Sequence, residues 1–210
     1  MRRPFAFAAC TAALGLAACS QDPPEQAPKT ETPEPATPVK RATPAVGATD
    51  TPAETGGYAS VYSDFDLAAC RVTAEQPEGT GVDYACPGRE GIPLFAHHGD
   101  GRFDLDAGVD GEEFMTIGAF NEIADRIEWR TNDGTPFAVI FRYRDVAPGS
   151  AGRTVLAIEK IGRAGAPGCR VAQIAGDTAD ANRVAREIAD TRAAAFRCGT
   201  DEARIVGDAR

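Results

Sequence analysis

From Asp125 to Arg144 the chain reads DRIEWRT, then NDG, then TPFAVIFRYR. Ile127 and Trp129 alternate with Arg126, Glu128 and Arg130. Phe137, Val139, Phe141 and Tyr143 alternate with Ala138, Ile140, Arg142 and Arg144. A period of two belongs to a strand, whose successive side chains point to opposite faces. Two such runs around a glycine-bearing turn signal predict a β-hairpin.

Other stretches follow the same grammar. LAACRVTAE leads through QPEGTG to VDYACPG, and IPLFAHH leads through GDG to RFDLDAG. RTVLAIEKIG and GCRVAQIAG come later, and a short strand, ARIV, is expected near the end. One helix is expected over about residues 178–196, capped by Asp177 with Asp180 in its first turn. Ala181, Val184, Ala185, Ile188 and Ala195 fall on one side at helical spacing, which gives an amphipathic helix packed on a sheet. The strands do not alternate with helices, so a doubly wound parallel sheet is not expected. The fold class is mainly β with one α-helix in the C-terminal region. It is a curved antiparallel sheet, barrel or sandwich, stapled by disulfides.

The N-terminus carries a different message. Met1-Arg2-Arg3 is basic and Phe5 to Ala18 is apolar and uncharged, too short for the roughly 20 residues of a membrane span. This is the pattern of a removable export signal. It closes on Leu16-Ala17-Ala18-Cys19, which resembles the lipobox of bacterial lipoproteins. The resemblance implies cleavage before Cys19 and acylation of that residue. Each buried methylene contributes about 0.8 kcal/mol and one acyl chain holds only marginally, so several chains are needed for stable anchoring. In lipoproteins of two-membraned bacteria, Ser20 rather than aspartate after the cysteine favours the outer membrane, with the domain facing the periplasm.

Three segments follow. Residues 1–18 are the signal, and 19–56 are the lipidated cysteine and a tether in which eight of residues 20–56 are proline and seven are threonine. Such a composition cannot bury enough apolar surface to fold, and as a flexible coil it spans roughly 35 Å. Residues 57–210 form a single β-rich domain. Its phrases GCRV, IAD and FRCG are similar to those of exported proteins of Gram-negative bacteria, a resemblance that implies no particular activity.

With Cys10 in the signal and Cys19 lipidated, Cys70, Cys86, Cys169 and Cys198 remain. Four cysteines in an exported chain read as two disulfides with three connectivities. Cys70–Cys86 with Cys169–Cys198 is preferred, because each pair closes a local loop. The chain has no Cys-x-x-Cys pair, which argues against a four-cysteine metal site.

Charge is lopsided. Residues 57–125 hold 14 acidic and 3 basic side chains, whereas residues 126–210 hold 11 and 14. No basic nucleic-acid footprint is present. Asp100, Asp104, Asp106, Asp110, Glu112 and Glu113 cluster in sequence, but no register places EF-hand ligands correctly. A hairpin turned by Gly108 and Gly111, with its acids in solvent, is preferred to a calcium site. His97 and His98 point to opposite faces of one strand and are read as structural or surface residues. A hydrolytic triad would need one of them beside Ser60, Ser63 or Ser150, and neither a Gly-x-Ser-x-Gly elbow nor a His-Glu-x-x-His motif occurs. No catalytic residue, metal ligand or cofactor is therefore expected.

Arg130, Arg142 and Arg144 are the candidate binding residues, an arginine strip suited to carboxylate or phosphate if the hairpin forms. Cross-strand pairing with Glu128 and nearby acids is the competing use. The expectation is a non-enzymatic protein, held to the membrane by lipid, that binds an envelope glycan or a protein partner. The alternative is an inhibitor of a cationic cell-wall hydrolase such as lysozyme.

Overall fold

The computed structural model describes residues 57–77, 81–111, 113–150 and 152–210. The signal, Leu16 to Cys19, the tether and Glu112 lie outside the described residues. Within them the chain runs β1 (Tyr58–Asp64), a short 3-10 turn (Leu67–Ala69), β2 (Arg71–Glu75), β3 (Gly81–Arg89), β4 (Ile92–Gly99), β5 (Arg102–Ala107), β6 (Asn121–Ile123), β7 (Arg126–Asn132), β8 (Thr135–Asp145), β9 (Thr154–Lys160), β10 (Cys169–Ala175), α1 (Ala181–Ile188), a π turn (Ala189–Ala193) and β11 (Arg204–Val206). The fold is mainly β with one helix near its C-terminal end.

Seven of these strands form a large sheet in the order β1-β7-β8-β9-β10-β11, with β6 on β8. Four form a small sheet, β2-β3-β4-β5. The small sheet is an antiparallel meander of consecutive strands. In the large sheet β11 pairs parallel to β10, and the helix makes that crossover.

The hairpin around NDG forms as expected. Asp133 and Gly134 are its two loop residues, both with positive φ (47° and 79°), and Asn132 pairs with Thr135. A two-residue loop of this conformation matches the twist of the strands it joins. Glu90-Gly91 and Asp100-Gly101 join β3 to β4 and β4 to β5 in the same way.

Alternation then separates two cores. Ile127, Trp129, Val139, Phe141, Tyr143, Val155 and Ala157 meet Leu94, Ala96, Leu105 and Ala107 of the small sheet, so the two sheets form a sandwich. On the other face of the large sheet, Ala138, Ile140, Leu156, Ile158, Ala172 and Ile174 pack against Ala181, Ala185, Ile188, Ala189, Ala193 and Phe196. Full burial of one large apolar side chain contributes about 1.5–3 kcal/mol.

Three details differ from the sequence reading. Phe137 packs with the helix-side core, because the β7–β8 register shifts at Arg130/Thr131 and leaves Phe137 unpaired. The helix starts at Ala181, not near 178, and its N-cap position is Asp180 in the left-handed region without a side-chain cap; Asp177 does not fill that role. The π turn rotates the following residues, so Ala193 and Phe196 are buried and Ala195 is exposed. Both expected disulfides are present, Cys70–Cys86 and Cys169–Cys198. The first joins the start of β2 to β3, and the second ties β10 to the segment after the helix.

Candidate functional site

On the small sheet, the face that alternates with the core carries a group of polar residues beside Ala85 and Phe95. Asp83 of β3 is opposite His97 of β4, and His97 is opposite Asp104 of β5. The Asp100-Gly101 loop fixes that register, and Asp106 falls two residues further along the same face. After β5 the chain turns at Gly108, where φ is +86°, and the following segment folds back onto these side chains. The Gly111 amide donates to Asp106 Oδ2 at 2.9 Å, and the Met115 amide donates to Asp104 Oδ2 at 2.7 Å. A Cβ on Gly111 would stand 2.9 Å from Asp106 Oδ2 and push that carboxylate aside.

The fold-back carries Asp110 to His97. Asp110 Oδ1 lies 2.8 Å from His97 Nε2, and Asp106 Oδ2 lies 3.7 Å from the same nitrogen. On the other side of the ring, Asp83 Oδ1 is hydrogen-bonded to Nδ1 at 2.9 Å. Nε2 is buried and makes no hydrogen bond, since the Asp110 carboxylate is close but not aligned for one. Burial works to lower the His97 pKa, yet the Asp83 bond and the charges of Asp110, Asp83 and Asp106 outweigh it and raise the pKa above 6.5. Burial and the neighbouring Asp104 push Asp106 up to about 6.

Behind this group lies a fully buried guanidinium. Arg170 donates through Nε to Glu159 Oε2 at 2.9 Å, and through Nη2 to Asp104 Oδ1 at 3.1 Å, to the Met115 carbonyl at 2.6 Å and to the Tyr143 hydroxyl at 3.1 Å. Its Nη1 has no partner. Two carboxyl groups, Asp104 and Glu159, thus share a single buried guanidinium, and Asp106 acts on this group through its charge on Glu159 and Asp104. Burial pushes Glu159 up to about 8, against the pull of Arg170, and also raises Asp104. The acids expected in solvent are therefore partly an interior feature: Asp104 is 1% and Asp106 3% exposed.

Two cavities flank the group. One, of about 410 Å³, is lined by Asp83, His97, His98, Glu113 and Phe114. The other, of about 680 Å³, is lined by Asp106, Glu159, Lys160, Phe196 and the Cys169–Cys198 disulfide. Gly111 and Glu113 line both. His98 also lines the first cavity, and its ring lies against Phe103 at 4.5 Å between ring centres.

Each of the three arginines singled out in the sequence is engaged by a partner within the domain. Arg130 is 4% exposed and grips Asp190 of the π turn with two bonds, Nε to Oδ1 at 2.9 Å and Nη2 to Oδ2 at 2.7 Å. Its Nη1 donates to Ser60, whose hydroxyl donates to Glu128. Glu128 accepts from Arg186 of the helix at 2.7 Å. Arg130 is thus a fastener between helix and sheet. Arg142 donates to Thr154 and Asn182, and Arg144 pairs with exposed Asp125 at 2.8 Å. Neither histidine is among the hydrogen-bond partners of Ser60, Ser63 or Ser150, which bond instead to Glu128 and Arg130, to Trp129 and to the Asp145 carbonyl.

Sequence reasoning overlooked His97, Asp106 and Asp110 as one group. Half of the signal was readable: the GDG turn sets His97 beside Asp104. The other half, the return of Asp110, is made by the tertiary bonds of Gly111 and Met115.

No family model matches this chain, and neither a curated protein nor a solved structure matches it.

Proposed function

We propose that this protein is anchored by lipid to the cell envelope and works there by binding, not by catalysis. In this reading residues 1–18 direct export and are removed, Cys19 is acylated, and residues 20–56 tether the domain. Ser20 directs the protein to the outer membrane, with the domain facing the periplasm. The domain of residues 57–210 presents the two cavities to an envelope component or a protein partner.

The observation that carries the reading is how the cysteines are used. All four in the domain are consumed by disulfides, which suits an oxidising compartment. Cys19 is the remaining cysteine of the processed chain, and it stands where a lipobox places the acylated residue. No described helix is long and apolar enough to cross a membrane, and attachment through acyl chains needs none.

One experiment in intact cells addresses both halves. Labelled palmitate is expected to enter the wild-type protein and not Cys19→Ala, which should leave the membrane fraction. A photo-reactive residue at Phe114, exposed at the first cavity, is expected to give an envelope adduct that the same residue at exposed Val146 does not. Wild type without label overturns the anchor; equal adducts from both positions, or none, overturn the cavities as the binding surface.

A further inference from the structure

We propose that His97, Asp106 and Asp110 form a binding site for one divalent transition metal ion of the zinc type, with Asp83 as the residue that orients the imidazole. The inference rests on the cavities being the binding site and not on the lipid anchor. It names a ligand for that surface.

The donor atoms are already gathered. One nitrogen of His97 and one oxygen each of Asp106 and Asp110 lie within 4.8 Å of one another. An ion held about 2.0–2.2 Å from each donor fits between atoms so spaced. The histidine is set up in the manner of a metal ligand. A ligating imidazole characteristically gives its second nitrogen to a carboxylate, which fixes the tautomer and the ring plane. Here Asp83 takes Nδ1 at 2.9 Å, so in the neutral ring the lone pair sits on Nε2, the atom facing Asp106 and Asp110.

That Nε2 is the second, independent sign. It is buried, it has no hydrogen-bond partner, and the carboxylate 2.8 Å away is misaligned for one. Buried polar atoms are ordinarily satisfied. A cation among the three donors satisfies Nε2 and offsets the two carboxylates together. It also relieves the interior behind them, where Arg170 alone faces Asp104 and Glu159.

The donor set selects the class of ion. Calcium and magnesium take oxygen ligands, whereas an imidazole with carboxylates suits zinc, manganese, iron, cobalt or nickel. Thiolate is absent from the set, and the four cysteines of the domain are held in disulfides. His97 opens on one cavity and Asp106 on the other, so coordination positions beyond these three face solvent-accessible space. The same place in the fold can then receive a donor atom from a bound partner.

The test uses the full chain, purified in detergent and stripped with a chelator. Zinc titrated by calorimetry is expected to bind at one equivalent, and calcium and magnesium to bind at least tenfold more weakly. Cobalt is expected to give a visible absorption band that His97→Ala abolishes. Asp110→Asn, at a half-exposed position, is expected to weaken zinc at least tenfold without lowering the melting temperature of the stripped protein, which keeps the test valid if His97→Ala fails to fold. Asp83→Asn leaves all three ligands in place and is expected to weaken zinc by about 10–100-fold. Absence of saturable zinc binding, or zinc binding that Asp110→Asn leaves unchanged, overturns the proposal. The palmitate and cross-linking results are read separately, so a failed metal site leaves the anchor reading standing.

Discussion

Glu159 and Arg170 face each other on neighbouring strands, both fully buried, with Asp104 from β5 and the Tyr143 hydroxyl from β8 closing the group and Asp106 nearby. A buried ion pair repays its desolvation only when its geometry is good and its remaining donors and acceptors are bonded. Here burial, aided by the charges of Asp104 and Asp106, outweighs the pull of Arg170, so Glu159 keeps its proton up to about pH 8, against about 4.3 in an unfolded chain. The folded state then holds a proton that the unfolded state has released. The stability this contributes is fully present below about pH 4.3 and is lost as pH rises towards the folded value of about 8. With chelator present, the melting temperature is expected to fall by several degrees between about pH 5 and about pH 8.5. Glu159→Gln is expected to flatten that decline, because an amide cannot ionise. A decline just as steep in the variant would mean that Glu159 is ionised throughout. None of this was legible in the sequence. Glu159 sits in TVLAIEK as the one acid of an apolar strand, and its partner Arg170 lies across a pairing whose register includes a bulge.

At the level of elements, the hairpins were legible and the helix boundaries were not. NDG and GDG name their own turns, because glycine at the second loop position permits the positive φ that such turns require. Gly134 shows this cleanly: a Cβ there would meet no atom within 4 Å, yet its φ is +79°. Gly134→Ala is therefore a test of backbone strain alone, expected to cost about 1 kcal/mol, read as a lower midpoint in urea. No change would mean that the loop adopts another conformation without loss. The helix gave a weaker signal. Alanine periodicity marked its buried face, but no residue announced the π turn, and capping by Asp177 lost to a start three residues later. The arginines of β7 and β8 were visible as arginines and not as fasteners. Arg130 finds Asp190 only after the helix has crossed the sheet, and spacing along the chain carries no record of that meeting.

For the whole molecule, the alternation and turns were enough to give a β-rich, disulfide-stapled domain, and its two local disulfides formed as expected. The choice among curved sheet, barrel and sandwich turned on which strands are neighbours. β1 was hard to place: its residues are mostly half-buried, and its partner is the distant β7, with Tyr58 opposite Asn132. The small sheet is the reverse case, since each of its strands pairs with the next in sequence and Cys70 and Cys86 are only 16 residues apart. Closing a long loop costs entropy before any contact rewards it. The order of assembly follows. The meander of β2 to β5 is expected to form first, bringing Asp83, His97 and Asp104 into a row. β1, the first strand among the described residues, is expected to be among the last to dock. Leu94→Ala on β4 is therefore expected to slow refolding, while Val61→Ala on β1 chiefly speeds unfolding; the opposite pattern in stopped-flow traces would refute that order. In time, then, the domain is expected to be built from β2 onward, with β1, the strand nearest the proposed tether, the door that shuts behind the rest.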